Sequence, residues 1–150
     1  RLRLAGEMEE ALLSYLLASG SLVPGTVSAW AGTPNAFWGA SPQGSAEPRL
    51  VLRRISGSPV YVDEGDTGLN ESRIQVDAYA STIDETRAVL RAVAARVSGV
   101  AVNHGGIEFQ AIYIDNYGPE TADRSAGRDG RGELHRASLD LIVWHRQIGA

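Results

Sequence analysis

The segment from Glu71 to Gly99 constrains the fold more than any other part of the chain. Within it, the spacing of the apolar residues changes once, from every second residue to every third or fourth residue. Between Glu71 and Ala80 apolar and polar residues alternate, which is typical of a strand with one buried face. The apolar side chains of this strand are Ile74, Val76, Ala78 and Ala80. The side chains expected on its other face are Arg73, Gln75, Asp77 and Tyr79. The strand therefore needs a hydrophobic layer on only one side.

A helix is predicted directly after this strand. Ser81 or Thr82 supplies a hydroxyl at its start, and the acidic Asp84 and Glu85 that follow resemble a capping box. Gly99 stands where a glycine commonly ends a helix. The residues of its buried stripe recur three or four positions apart, at Ile83, Thr86, Leu90, Val93 and Val97. We expect one strand joined to one helix.

Further elements are predicted on both sides of this pair. Glu7–Ser19 has helical spacing, Ser21–Glu47 is rich in turn residues, and Arg49–Ser56 is a second strand. Ser58–Asn70 is expected to be a hairpin-like connection that contains only a short extended piece. Residues 1–6 are expected to be a flexible extension.

The C-terminal part is predicted to contain two long strands, Ile107–Tyr117 and Glu133–Gln147. The polar, glycine-rich segment Pro119–Gly132 joins them and is expected to be a mobile loop, so that the two strands form a projecting hairpin. The order of helix, strands, helix and strands predicts one α+β domain over residues 1–150. Its mostly antiparallel sheet would have about four main strands, with two helices packed on one face.

Composition excludes several classes of function. The net charge of −4 argues against a dedicated nucleic-acid binder, which usually carries a basic surface. The chain has no cysteine, so a disulfide framework and thiol chemistry are excluded. No apolar run approaches the roughly 20 residues of a membrane span, and we expect no membrane partner.

The sequence offers little for catalysis or metal binding. The three histidines are His104, His135 and His145, and the last two are too far apart on one strand to share a metal ion. The acidic turn at 63–66 has an incomplete calcium-loop spacing, and we interpret it as a solvated turn. We expect no catalytic, cofactor-binding or metal-binding residue, and no enzyme.

Protein contact is the function that these features favour. Trp, Tyr and Arg side chains anchor many protein interfaces, and loops that carry them are candidate contact sites. The candidate residues in loops are Trp30, Phe37, Trp38, Arg124, Arg128 and Arg131. The polar strand face with Arg73, Gln75, Asp77 and Tyr79 is the other candidate surface.

Four stretches resemble the tail terminator proteins, also called tail completion proteins, of long-tailed bacteriophages and related gene transfer agents. These stretches are the helix Met8–Leu17, the strand Pro48–Gly57, the strand Arg73–Ala80 before its helix, and the closing strand His135–Trp144. The resemblance covers nearly everything from Glu7 to Gln147. Ser21–Glu47 is longer than the connection expected from that family.

The resemblance implies a structural virion protein that forms a ring, commonly sixfold, at the head-proximal end of the tail tube. The ring would stop tube polymerisation and offer a joining surface to the head connector. The implied partners are copies of the same chain, the tail tube protein and the head connector or adaptor. DNA would pass through the channel without specific binding, to which an acidic wall is suited.

Two alternatives are open at this stage. The chain could be a head–tail connector or adaptor, which would contact the portal directly. It could instead be an enzyme or a small-ligand-binding α+β domain, which would show a concave pocket with convergent polar groups and a strongly shifted pKa.

Overall fold

A computed structural model describes residues 7–30, 33–39, 47–123 and 134–148. A single 3₁₀ turn at Val23–Gly25 accompanies two helices, α1 (Glu7–Leu17) and α2 (Ile83–Val97). The strands in chain order are β1 (Ala29–Trp30), β2 (Thr33–Pro34), β3 (Ala36–Trp38), β4 (Arg49–Val62), β5 (Gly65–Ala80), β6 (Val102–His104), β7 (Ile107–Tyr117), β8 (Thr121–Asp123) and β9 (Leu134–Gln147).

One seven-stranded sheet dominates the described part of the chain. Its order is β3-β4-β5-β9-β7-β6, with β8 also paired to β9, while β1 and β2 form a separate two-stranded ladder. All pairs in the large sheet are antiparallel except β3 with β4. The α+β class is therefore confirmed, but the prediction of about four main strands was too low. The strands β3, β6 and β8 have three residues each, which is too short to produce a recognisable alternation.

The core lies between the two helices and one face of the sheet, which we call the inner face. Leu52, Val76 and Leu139 stand side by side on β4, β5 and β9, and each is completely buried. Leu12 and Leu16 from α1 and Val93 and Val97 from α2 belong to the same hydrophobic cluster. Burying each of these side chains contributes on the order of 1.5–3 kcal/mol.

The predicted strand–helix pair is present, and its local signals work as expected. Thr82 caps α2 by accepting a hydrogen bond from the Glu85 amide at 3.2 Å, and its hydroxyl lies 3.0 Å from the Glu85 carboxylate. Gly99 adopts φ +69° after the helix, and its amide donates to the carbonyl of Ile112. Six α2 residues are buried, among them Leu90, Val93 and Val97.

Helix α1 is held against α2 and β6 through one aromatic residue. The Tyr15 hydroxyl donates to the Arg96 carbonyl at 3.3 Å, and the Arg96 Nε donates to the Tyr15 carbonyl at 3.0 Å. The Arg96 guanidinium also lies 3.9 Å from the centre of the Tyr15 ring. His104 of β6 contacts the same helix. Its Nε2 is 3.0 Å from Ser14 Oγ, and its ring centre is 5.5 Å from the centre of the Tyr15 ring. His104 thus has a structural position under α1.

The projecting hairpin is formed by strands other than those predicted. Strands β7 and β9 do pair, but β9 is central in the sheet, between β5 and β7. The long hairpin is instead β4–β5, because the predicted connection 58–70 continues both strands up to a two-residue turn at Asp63 and Glu64. Its residues lack alternation because both faces are in solvent, and this is why the sequence resembled a turn-rich link.

The predicted mobile loop overlaps the structure only in part. Its first residues contain β8, which pairs with the beginning of β9 through Thr121 and Arg136. Residues 124–133 lie outside the described residues. Neither described helix is long and apolar enough to cross a membrane.

Candidate protein-interaction surfaces

The sheet face that points away from both helices, which we call the outer face, carries four of the predicted contact residues. Alternation along β5 buries Ile74, Val76 and Ala78 against the helices and turns the intervening side chains outward. These outward side chains are Arg73, Gln75, Asp77 and Tyr79. The pairing of β5 with β4 and β9 brings residues of three strands into contact on this face.

Asp77 lies at the centre of the outer face and is completely buried, which the sequence did not predict for a polar strand face. One of its carboxylate oxygens accepts hydrogen bonds from Ser138 Oγ at 2.7 Å and Gln75 Nε2 at 2.9 Å. The other accepts from Arg136 Nη2 at 3.1 Å and lies 4.0 Å from an Arg53 nitrogen. Long side chains from both adjacent strands therefore cover the carboxylate and satisfy it.

Arg73 links its own strand, β5, to β7 and β9 on the outer face. Its Nη1 donates to Asp115 Oδ2 at 2.6 Å and lies 4.0 Å from Asp140. The hydrogen bond and the negative charge of Asp115 raise the pKa of Arg73. Because Arg73 and Asp115 are partly exposed to solvent, their ion pair stabilises the fold little.

Tyr79 lies beside two arginines at the C-terminal end of β5. The guanidinium of Arg49 is 4.9 Å from the ring centre and that of Arg136 is 6.0 Å away. The outer face therefore presents a ring, cations and carboxylates that already interact with one another. Such a surface suits protein contact.

The three candidate aromatic residues have separate positions. Trp38 is partly buried against the core, and its Nε1 donates to the Glu9 carbonyl at 2.7 Å, so that it fastens β3 to α1. Phe37 points the other way and is paired with Val51, in the same row as Asp77 on the outer face. Trp30 lies in β1, and its side chain is outside the described part of the structure. Of Phe37 and Trp38, Phe37 is thus the one on the outer face, together with Tyr79.

The three predicted loop arginines follow β8 in the sequence. Arg124, Arg128 and Arg131 fall in residues 124–133, outside the described residues.

The β4–β5 hairpin is a surface that the sequence indicated only as a short hairpin-like connection over Ser58–Asn70. Its residues from 53 to 68 are exposed apart from the half-buried Val60, among the residues whose side chains are described. Ile55 and Tyr61 are the large hydrophobic side chains there, with 52% and 66% of their surface exposed. The Thr67 hydroxyl donates to the Val60 carbonyl at 2.7 Å across the hairpin. The turn predicted in this segment is present at Asp63 and Glu64, whereas the length of the two strands that it joins was not predicted.

His145 is a buried titratable residue of β9. Burial, and then the positive charge of Arg54, lower the pKa of His145 from 6.5 to about 4. Its Nε2 is 2.8 Å from the Ser72 hydroxyl, which gives the neutral ring a buried partner. The shifted pKa follows from the burial of the ring, which lines neither of two clefts found among the described residues. Among the described residues, no group of three or more His, Asp or Glu could hold a metal ion.

The narrower of these clefts has a volume of about 320 Å³ and lies between α2 and the junction of β7 with β8. Arg87 closes one side of this cleft by donating to both oxygens of Glu120, at 2.7 and 3.0 Å. The hydrogen bond from Arg87 lowers the pKa of Glu120. The other cleft, about 530 Å³, is an open depression along β6 and β7.

Comparison with known proteins gives a family and a structural likeness. The family described as "Tail completion protein gp17" matches residues 11–146. No curated protein matches the chain. A chain of the structure "Virion of native gene transfer agent (GTA) particle" has a TM-score of 0.67 at 15% identity, and the match covers 97% of this chain and 99% of that one. This likeness shows a shared fold along almost the whole chain.

Proposed function

We propose a ring-forming role at the end of the tail for this chain, which belongs to the tail completion protein gp17 family. It is a structural protein of a bacteriophage-type virion, and its place is in the tail. The proposal is that several copies form a closed ring, commonly six, at the head-proximal end of the tail tube. The ring stops polymerisation of the tube protein and supplies the surface to which the head connector binds.

The family match carries this proposal, and the surfaces of the fold support it. A domain of this size needs neither a 14-residue strand that extends past its core nor an ion-paired sheet face. Both features are useful in a ring, where each copy contacts a neighbour through two different surfaces. The similar chain in the gene transfer agent particle is itself part of a virion, which is consistent with the same kind of assembly.

The outer face is the candidate surface for contact with a neighbouring copy or with the channel. We propose that Arg73, Gln75 and Tyr79 make such contacts around the buried Asp77, with Phe37 at the edge of the same face. Exposed ion pairs such as Arg73–Asp115 can exchange partners with little loss of free energy. The net charge of −4 would leave DNA free to pass through the ring without specific binding.

Electron microscopy of intact particles tests the proposal. The expected result is one ring of this chain between the tube and the head connector. A particle in which the chain repeats along the tube would contradict the terminator role and identify a tube protein. A ring that touches the portal directly would favour the alternative role of head–tail connector or adaptor.

A further inference from the structure

The β4–β5 hairpin ends in an acidic tip, which we define as Tyr61, Asp63 and Glu64. All three side chains are exposed, and Tyr61 is 66% accessible. No ion pair of Asp63 or Glu64 is present in residues 7–30, 33–39, 47–123 and 134–148. An aromatic ring beside two unpaired carboxylates is a combination that anchors protein contacts.

A cleft with the opposite charge lies on α2. We call it the arginine cleft. Its charged lining residues are Arg87, Arg91 and Glu120, so that it has one more positive than negative group, and Leu90, Tyr117 and Ala137 are among its other lining residues. Arg91 is exposed and has no ion pair within the described part of the chain, whereas Arg87 is held at the rim by Glu120. Leu90 and Ala137 give the cleft an apolar floor. Its volume of about 320 Å³ is at the lower end of that of ligand pockets, and it suits one or two inserted side chains.

The acidic tip and the arginine cleft are at opposite ends of the same sheet. Ala137, in the cleft, is paired with Ala78 of β5, and the tip lies 14 residues before Ala78 at Glu64. At about 3.3 Å per strand residue the two surfaces are roughly 45 Å apart. The tip of one copy therefore cannot reach its own cleft, but it can reach the cleft of another copy.

We propose that the acidic tip of one copy docks in the arginine cleft of the next copy. The Tyr61 ring packs on the apolar floor, and Glu64 and Asp63 pair with Arg91 at the rim. The contact joins two different surfaces, so repetition of it produces either a closed ring or an open filament. This inference rests on the proposed function, because it supplies the contact that closes the ring.

Cysteine crosslinking tests this contact directly, because the natural chain has no cysteine. The test variant carries Asp63→Cys and Tyr117→Cys, which leave Tyr61, Glu64 and Arg91 unchanged. After oxidation, denaturing gels should show a ladder of disulfide-linked species whose largest member has the copy number of the ring. A control variant with Glu10→Cys and Tyr117→Cys places the first cysteine at an exposed acidic position of α1, and it should give no ladder.

A charge exchange tests the specificity of the contact. Glu64→Arg and Arg91→Glu should each weaken assembly by on the order of tenfold or more, since each opposes like charges. The double variant should regain most of the assembly, while thermal unfolding of all three stays like that of the wild type because both positions are exposed. Glu10→Arg is the matched control and should assemble normally.

The two proposals fail in different ways. Crosslinking is done on the purified chain and on virions that contain the variant. If rings of this chain are seen by microscopy but no ladder forms in either sample, the tip-to-cleft contact is wrong and the terminator role stands. If the chain repeats along the tube and the ladder extends without a limit, the contact is right and the terminator role is wrong.

Discussion

The two halves of the β4–β5 hairpin are made from the same strands but lie in different surroundings. In the half that we call the root, Leu50 and Leu52 face Ala78 and Val76, and all four side chains are completely buried. In the projecting half, residues 53–70, the two strands still pair with each other. Near its start Arg54 contacts Glu9 of α1, and at its end Asn70 pairs with His145 of β9. Ile55 there is 52% exposed.

This difference separates the part of the hairpin that stabilises the fold from the part that we propose for contact. The root contributes to the free energy of unfolding because it buries apolar surface on one face and the Asp77 network on the other. The projecting half keeps its hydrogen bonds but buries little, so its side chains can change without loss of the fold. A hairpin of this kind can hold a contact surface at a distance from the core. Four predictions test the comparison.

The largest effect is expected for Ile74→Ala in the root, with Ile55→Ala in the projecting half as the matched control. Ile74 is completely buried, so its truncation removes apolar burial and leaves a cavity, which lowers the free energy of unfolding by about 4 kcal/mol. Ile55→Ala should change it by less than about 0.5 kcal/mol. Urea unfolding followed by circular dichroism measures both. Equal losses for the two variants would break the comparison.

The second effect concerns the outer face of the root. Asp77→Ala leaves Arg136, Ser138 and Gln75 without their common acceptor, and we expect a loss of about 3 kcal/mol. Asp115→Ala removes a carboxylate of the exposed pair with Arg73 and should cause a much smaller loss. The same denaturation assay distinguishes them. A stable Asp77→Ala protein would show that the outer face contributes little to the fold.

The third prediction concerns the boundary between the two halves, where His145 is paired with Asn70 and contacts Ser72. Burial lowers the pKa of His145 to about 4, so between pH 6.5 and 4 the unfolded chain binds a proton that the folded chain does not. The neutral ring therefore makes its full contribution to the free energy of unfolding above pH 6.5. As the pH falls to about 4, this contribution is lost, by up to about 3 kcal/mol.

Unfolding free energies measured at pH 7, 5.5 and 4 check this third prediction. His145→Gln keeps a hydrogen-bonding group but cannot become charged in this range. Its stability should fall less steeply than that of the wild type as the pH decreases. Parallel curves for the two proteins would mean that His145 is not protonated on unfolding.

The smallest effect on stability is expected at the end of the projecting half. Tyr61→Ala should change the free energy of unfolding by less than about 0.5 kcal/mol, because the ring is largely in solvent. The same variant should assemble poorly if the acidic tip docks on a neighbouring copy. Thermal unfolding and the ring fraction in mass photometry are the two measurements. A large loss of stability would place the tip within the folded core instead.

Local signals allowed a good part of the fold to be predicted. The cap at Thr82, the stripe with Leu90 and Val93, and the glycine at Gly99 depend on neighbours within one helix, and all three are present. The alternation of Ile74 and Val76 likewise gave the correct buried face of β5. The length of the hairpin was missed because strands exposed on both faces have no alternation to detect.

The candidate site was less predictable for a related reason. Burial of Asp77 depends on Ser138 and Arg136, which are more than fifty residues away and are brought beside it only by the pairing of β5 with β9. Trp38 was predicted as a contact residue, and the structure gives it a partner in the Glu9 carbonyl of α1. Its part in assembly, like that of Trp30 and Phe37, stays a prediction.

The sequence by itself determined the α+β class, the strand–helix pair and the resemblance to tail completion proteins, because each depends on periodicity and caps within a short segment. Tertiary structure alone decided the strand order, the buried network around Asp77 and the separation of the acidic tip from the arginine cleft. These depend on the register between strands that are distant in the chain, and a pattern of period two states which face is buried but not which strand lies alongside.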